Sequence, residues 1–454
     1  MDIPTSFAIQ IGIAIIFGLA LFMMVFVLSE KHIVGILVIL LPFQFVDSGY
    51  GSLNMALTYM AAFGMLLRGK VRMTPLLGVV ILIAFAYLLS LSQAPRGTYR
   101  DHGFYLITVF SGFALFYLVY NYFRQSNDLQ YFIKLLLIMN FLVAGYSVLL
   151  IFVGTERVVF FGIDELSLAT NRAKANSHQR LQGTFGSAGV NASFFALQIL
   201  IMAYVLLNEQ RKFNKFLIVA MIGINFGLMV GTGSRGSFLS LVGGSILFAW
   251  LFRRQIGVTR IIKSVAIIVP LFIAMSFVMI NYTSYGSLFT RLADTEIDDS
   301  GIPETRSLVV ALTLERIPEA MVLGHGPRLK LMDETRYVPG YKPLGGYPHN
   351  LVLYLLYTVG FMGLFAWSVW FFVLSKRLYQ SRRHRTGDWY LDNLPTMGVL
   401  IVVVFLVDQI KIEFLRANLG DIQHYYFFLW GALIAFADNK RQKLNALKVS
   451  RVDS

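Results

Sequence analysis

Residues 349–375 read HNLVLYLLYTVGFMGLFAWSVWFFVLS, and the stretch contains no Asp, Glu, Lys or Arg. About 20 consecutive apolar residues are enough for an α-helix to cross the hydrocarbon core of a bilayer. Because no water is available there, a spanning segment must satisfy its backbone polar groups internally, as a helix does. The stretch therefore predicts a membrane-spanning helix.

The composition of the whole chain agrees with this prediction. Of its 454 residues, 56% are hydrophobic and 14% are charged, and the mean hydropathy is +0.65. Soluble domains carry roughly 25% charged residues, and single soluble cores stop growing beyond about 250–300 residues. Soluble globular, disordered and fibrous classes are therefore excluded, and an all-α polytopic transmembrane helical bundle is expected.

Apolar runs separated by charged or Gly/Pro-rich breaks predict about 12 or 13 spans, since two runs are short for a bilayer. The predicted spans are 6–28, 33–46, 54–67, 75–93, 104–122, 130–153, 189–207, 215–231, 236–252, 259–281, 349–375, 395–411 and 422–437. The N-terminal MDIPTS lacks the basic region of a cleavable signal peptide.

Four regions follow from these spans. They are N-terminal helices (1–153), central helices with a first outer loop (154–281), a long outer loop (282–348), and C-terminal helices with a tail (349–454). A helix is expected within the long loop, over 303–321.

The net charge of +14 has a topological explanation. Basic segments at 68–72, 208–215, 253–260 and 376–385, with the C-terminal tail, fall on one face of the predicted bundle. Lys and Arg are enriched in cytoplasmic loops, so this face is assigned to the cytoplasm. No nucleic-acid binding is expected. The absence of cysteine excludes disulfides and thiolate metal sites.

A smaller set of cations falls on the opposite face, beside glycines. In GTGSRGSFLS (231–240), Ser234 and Arg235 stand where one span ends and the next begins. Free backbone N–H groups at a helix start, next to an arginine, suit a phosphate. RLQGTFGSAGVNASFFA (180–196) repeats the pattern with Arg180 and Asn191. The alternatives are an interfacial arginine and an ordinary helix cap.

The long outer loop contains Arg291 and Arg306 and ends in YPHN, where His349 and Asn350 open a span. Histidine has an unperturbed pKa of about 6.5, so His349 could remove a proton from a hydroxyl near neutral pH. Asn350 could orient the histidine or the substrate.

Other polar groups receive structural interpretations. His325, in GHGP, reads as part of a turn, and Asp408 and Lys411 as an ion pair within a span. The acidic run at 294–299 reads as a solvated loop, and no metal site is predicted.

The order of these motifs resembles the O-antigen ligase and O-antigen polymerase family, over about 180–365. The residues that carry the resemblance are Arg180, Gly183, Thr184, Phe185, Asn191, Ser234, Arg235, Gly236, Arg291, Arg306, Gly324, Gly326, Pro327, His349 and Asn350.

The resemblance implies a multi-pass glycosyltransferase of the bacterial inner membrane, with the GT-C-like fold of lipid-sugar transferases, a periplasmic active site and no metal or other cofactor. The donor would be a glycan on undecaprenyl diphosphate. His349 would be the general base. Arg235 and Arg306 would hold the leaving diphosphate, with Arg180 and Arg291 as supporting cations. Asn191, Ser234 and Asn350 would complete substrate binding.

Several activities remain open at the sequence level. A ligase would transfer the glycan to lipid A–core, a polymerase to a growing glycan, and a protein O-oligosaccharyltransferase to Ser or Thr. A polysaccharide transporter belongs to a different class, and would place charged residues near the membrane midplane. A non-catalytic partner in glycan assembly would tolerate loss of His349.

Overall fold

A computed structural model describes most of the chain. The described residues are 27–43, 52–94 without 70, 73 and 75, 99–153, 180–257 without 186, positions 270, 273, 274, 277 and 281, then 304–327, 348–415 without 384, and 420–452. The helices are α1 Glu30–Leu40, α2 Leu53–Leu67, α3 Leu77–Leu91, α4 Tyr99–Ser126, α5 Leu129–Val153, α6 Ala188–Leu206, α7 Lys212–Gly231, α8 Arg235–Leu251, α9 Arg253–Ile256, α10 Glu304–Arg316, α11 Leu351–Ser381, α12 Trp389–Asp408 and α13 Gly420–Val452.

The all-α polytopic bundle is confirmed. Within the described residues, six helices (α4, α5, α6, α7, α11 and α12) are long and apolar enough to cross a membrane. Three shorter apolar helices, α2, α3 and α8, accompany them. Predicted spans 6–28 and 259–281 lie largely outside the described residues, so the total number of spans stays a prediction.

The core forms around α13, whose residues from Tyr425 to Ala437 are buried. Trp430 lies 5.0 Å from Phe405 of α12 and 5.3 Å from Phe427, measured between ring centroids. Trp370 of α11 contacts Phe113 of α4 at 5.1 Å. Edge-to-face aromatic pairs of this kind favour one relative orientation of the helices beyond their buried area. The aromatic core therefore fixes α4, α11 and α12 against α13.

A break divides α11 at Gly360, where φ is 65° and ψ is −167°. The amide of Phe361 donates to the Met321 carbonyl oxygen at 2.8 Å, so the segment after the 3₁₀ turn accepts bonds from backbone groups that the break exposes. A β-carbon on Gly360 would overlap the Val322 carbonyl, so only glycine fits here.

The predicted helix over 303–321 is confirmed as α10, followed by a 3₁₀ turn over Ile317–Ala320. Val309 and Ile317 are buried on one side of this segment. Together with the backbone bonds at the break in α11, these contacts anchor the end of the long loop against the bundle.

The helices divide the bundle into two ends. The site end comprises Arg180, residues 231–237, 348–351 and 408–413. The basic end comprises residues 204–212, 250–257, 376–396 and 440–441. At the basic end, the Tyr204 hydroxyl donates to the Tyr390 carbonyl oxygen at 2.7 Å, which joins α6 to α12.

Candidate active site

The turn between α7 and α8 places Arg235 at the first position of a helix. Ser234 is the N-cap residue, and its side chain makes no capping hydrogen bond. Arg235 is half-buried. A positive side chain at a helix N-terminus opposes the helix dipole, whereas a bound anion is stabilised by both the dipole and the arginine. This turn therefore suits a negatively charged ligand.

The segment 180–185 crosses over this turn. The Nε atom of Arg180 donates to the Thr232 carbonyl oxygen at 2.8 Å, and the Leu181 amide donates to the Gly231 carbonyl oxygen at 3.0 Å. Arg180 is half-buried as well. Two cations that are 55 positions apart in sequence, Arg180 and Arg235, are thus attached to one turn.

The side chain of Asn191 packs against the segment 180–185. Gly183 has a φ of 58°, and any β-carbon there would overlap the Asn191 side chain. Asn191 is fully buried, and among the described residues its side-chain nitrogen and oxygen have no hydrogen-bond partner. The structure thus places Asn191 beneath the loop, and its predicted substrate contact stays a prediction.

A polar network connects the turn to α12. Lys411 Nζ donates to Ser237 Oγ at 2.6 Å and pairs with the buried Asp408 carboxylate at 2.7 Å. Ser237 Oγ lies 2.9 Å from Ser234 Oγ and 3.2 Å from Ser193 Oγ of α6. The predicted Asp408–Lys411 pair is confirmed, and it also links three helices beside Arg235.

His349 lies in the turn that precedes α11. Its φ is 52°, a left-handed conformation that costs a non-glycine residue free energy and that clusters at functional sites. Asn350 caps the helix, because its side-chain oxygen accepts from the amides of Val352 at 2.9 Å and Leu353 at 3.2 Å. The Leu351 amide donates to the Gln409 carbonyl oxygen at 2.9 Å. His349 is thus held beside the turn that carries Lys411.

These bonds join three separate segments at the site end. Arg180 contacts the turn at 231–237, Ser237 contacts Lys411, and Gln409 contacts the backbone just after His349. The structure therefore gathers Arg180, Ser234, Arg235, His349 and Asn350 at one end of the bundle. Their chemical roles stay predictions.

Two predicted arginines are not placed by side-chain contacts. Arg306 lies in the first turn of α10, and its side chain is not described. Arg291 and the acidic run at 294–299 lie outside the described residues. The structure thus shows where α10 lies, packed against α11, but not where the Arg306 side chain lies.

The interpretation of His325 as a turn residue agrees with its contacts. Its Nε2 atom lies 2.9 Å from the Arg316 carbonyl oxygen, and its amide donates to the Tyr357 carbonyl oxygen at 2.7 Å. Its ring packs on Tyr357 at 4.6 Å. His325 thus helps to fasten the 3₁₀ segment to α11. In the described part of the chain, no three His, Asp or Glu side chains gather in a way that could hold a metal ion.

Sequence reasoning missed that Lys411 bonds to the Arg235 helix, and that a second carboxyl side chain, Glu413, is fully buried just after it. The available signal was the cost of charge within an apolar span, which implies a partner for each charged group. That cost predicts a partner but not which helix supplies it.

Part of the chain that contributes to this site matches a known family. Residues 216–368 match the family model described as O-antigen ligase. The matched region contains Arg235, Arg291, Arg306 and His349, whereas Arg180 lies outside it. A search of curated proteins finds no match to the chain.

Proposed function

We infer that this chain, whose residues 216–368 match the family model described as O-antigen ligase, acts as a membrane glycosyltransferase of the ligase and polymerase type. In its finer form, the proposal is transfer of a glycan from undecaprenyl diphosphate to a hydroxyl of lipid A–core. One observation carries this proposal: the segments that contain Arg180, Arg235 and His349 lie together at the site end.

The cations suit the leaving group of this reaction. When the bond between the sugar's anomeric carbon and the diphosphate oxygen breaks, negative charge develops on undecaprenyl diphosphate. Arg235, beside the N–H groups of α8, and Arg180, fixed on the same turn, would stabilise that charge. Held in place before the reaction, these groups need little reorganisation as the charge develops. Arg291 and Arg306 would add to this set.

His349 would act on the acceptor. Its imidazole removes the proton from the acceptor hydroxyl as that oxygen forms the new bond to the anomeric carbon. The proton ends on the histidine, and the electron pair of the broken bond leaves with the diphosphate. The backbone of His349 is fixed by the Asn350 cap and the bond from Leu351 to Gln409, so the imidazole starts from a defined position.

The surface next to the site end suits a polyprenyl tail. Leu239 lies one turn beyond Arg235 and is 68% exposed, and Ile410 lies beside Lys411 and is 69% exposed. Exposed apolar side chains on membrane helices face lipid, where a long hydrocarbon chain is also soluble. A donor could therefore place its diphosphate at the turn and its tail along α8 and α12.

The proposed location is the periplasmic side of the bacterial inner membrane. The basic loops motivate this orientation through the positive-inside rule. Alkaline phosphatase inserted after residue 327 should be active, and the same enzyme inserted after residue 386 should be inactive. The reverse pattern would overturn the orientation.

The acceptor is tested by glycolipid analysis in a deletion strain. Loss of a ligase should leave lipid A–core without glycan while undecaprenyl-linked polymer accumulates. Core substituted by single repeat units would instead identify a polymerase, and loss of protein-bound glycan an O-oligosaccharyltransferase. Purified protein that transfers no glycan in detergent, yet moves the lipid-linked donor between leaflets after reconstitution into vesicles, would favour the transporter.

A further inference from the structure

The basic end contains a cavity of about 660 Å³, at the opposite end of α8 from Arg235. Arg253 and Arg254 of α9 line it, together with Arg382 and Arg385, which follow α11. Trp250 and Trp389 are also part of its lining. Cavities of roughly 300–1,000 Å³ are the size range of small-molecule binding sites.

The cavity carries uncompensated positive charge. In the described part of the chain, none of the four guanidinium groups forms an ion pair or a hydrogen bond. The guanidiniums of Arg253 and Arg382 only lie over the rings of Trp250 at 5.6 Å and Tyr379 at 5.4 Å. Clustered arginines without acidic partners present donors that match phosphate oxygens.

The one carboxylate in the lining is already occupied. Asp392 accepts hydrogen bonds from the amide of Thr386 at 2.7 Å and from the amide of Gly387 at 3.1 Å. It also pairs with Lys440 at 3.2 Å. Because the Lys440 charge offsets that of Asp392, this carboxylate leaves the arginine cluster positive.

Exposed apolar side chains on α8 adjoin the cavity. Trp250 is 59% exposed and Ile246, one turn earlier on α8, is 67% exposed. Tryptophan is enriched at the boundary between headgroups and hydrocarbon, so the two tryptophans of the lining suit a cavity at headgroup depth. A free anion would make no use of this surface, whereas acyl chains would cover it.

We propose that this cavity binds the phosphate headgroup of an anionic glycerophospholipid, whose acyl chains lie along the exposed face of α8. Basic pockets between membrane helices on the cytoplasmic side suit such headgroups. The bound lipid would join the ends of α8 and α12, the two helices that carry Arg235 and Asp408 at the site end. The site stands independently of the proposed glycan transfer.

The test uses the full chain, purified in detergent and stripped of lipid, with binding measured by native mass spectrometry. Phosphatidylglycerol should bind saturably and phosphatidylcholine should not. Arg253→Gln/Arg254→Gln, and separately Arg382→Gln/Arg385→Gln, should weaken binding about thirty-fold, as expected for the loss of two basic residues at an anionic headgroup. Arg211→Gln/Arg383→Gln is the matched control, because both arginines are exposed at the same end and neither lines the cavity.

Three results would overturn the proposal. They are equal binding of phosphatidylcholine, an equal loss in the control pair, and inorganic phosphate that binds as tightly as phosphatidylglycerol. The wild-type protein supplies a test that needs no variant, since raising the salt concentration should weaken phosphatidylglycerol binding through screening. Binding that is insensitive to salt would also contradict the site.

Discussion

The two ends of the bundle both carry arginines, but they hold them differently. At the site end, Arg180 is half-buried and bonded to a backbone carbonyl, and Arg235 is half-buried at a helix start. At the basic end, Arg253, Arg254 and Arg385 are exposed. An exposed arginine can meet a mobile headgroup or remain in water, whereas an arginine that binds a reacting group must be fixed. Burial and bonding thus distinguish the site-end arginines from those that line the cavity, whereas the half-buried Arg377 of the basic end is paired with the Asp438 carboxylate.

The largest effect should come from His349→Asn. Asparagine tolerates a left-handed φ better than most residues, so the turn before α11 should keep its conformation while the general base is lost. We expect glycan transfer by the purified enzyme to fall about 10²–10⁴-fold, the usual contribution of a general base. An unchanged melting temperature in detergent is the control, and a near-normal rate would remove His349 from the mechanism.

Arg235→Gln should have the next largest effect. Loss of one fixed group that stabilises developing charge lowers turnover by about 10²–10³-fold. Arg235→Lys keeps the charge but not the planar pair of donors, so its transfer rate should lie between those of wild type and Arg235→Gln. Transfer rates of the three proteins, each checked for membrane insertion, measure this series. Equal rates for Gln and wild type would make Arg235 an ordinary interfacial residue.

Lys411→Met should act on stability. It leaves the buried Asp408 carboxylate without its partner, and removal of one member of a buried ion pair costs about 3–5 kcal/mol. Thermal unfolding in detergent should show a lower melting temperature. The double variant Asp408→Asn/Lys411→Met should recover most of the lost stability, since no buried charge remains. A double variant no more stable than the single one would mean that the pair is not the cause.

The smallest effect is expected at the basic end. Arg211→Gln/Arg383→Gln removes two exposed charges that neither touch the candidate active site nor line the cavity. Transfer should stay within about two-fold of wild type, since exposed single charges contribute little at a distance in salt. A loss as large as that of Arg235→Gln would erase the contrast between the two ends.

The helices could largely be predicted from the sequence, because an apolar run in lipid has few other conformations. The run at 189–207 became α6 Ala188–Leu206, and the run at 236–252 became α8 Arg235–Leu251. Arg180, Arg235 and His349 were also identified, since cations and a histidine beside glycines at span ends are rare enough to notice. The Asn350 cap, the break at Gly360 and the place of Lys411 were not predicted, because each depends on contacts between separate segments.

By itself, the sequence determined that this chain is a helical membrane protein, which loops carry its positive charge, and which motifs resemble those of the O-antigen ligase family. Each of these follows from the order of residues along the chain. Only the tertiary structure decided that Arg180 lies on the turn before Arg235, that Lys411 joins that turn to α12, and that four arginines surround a cavity at the opposite end. The physical reason is that side-chain bonds between helices depend on how the helices pack, and hydropathy carries no information about that packing.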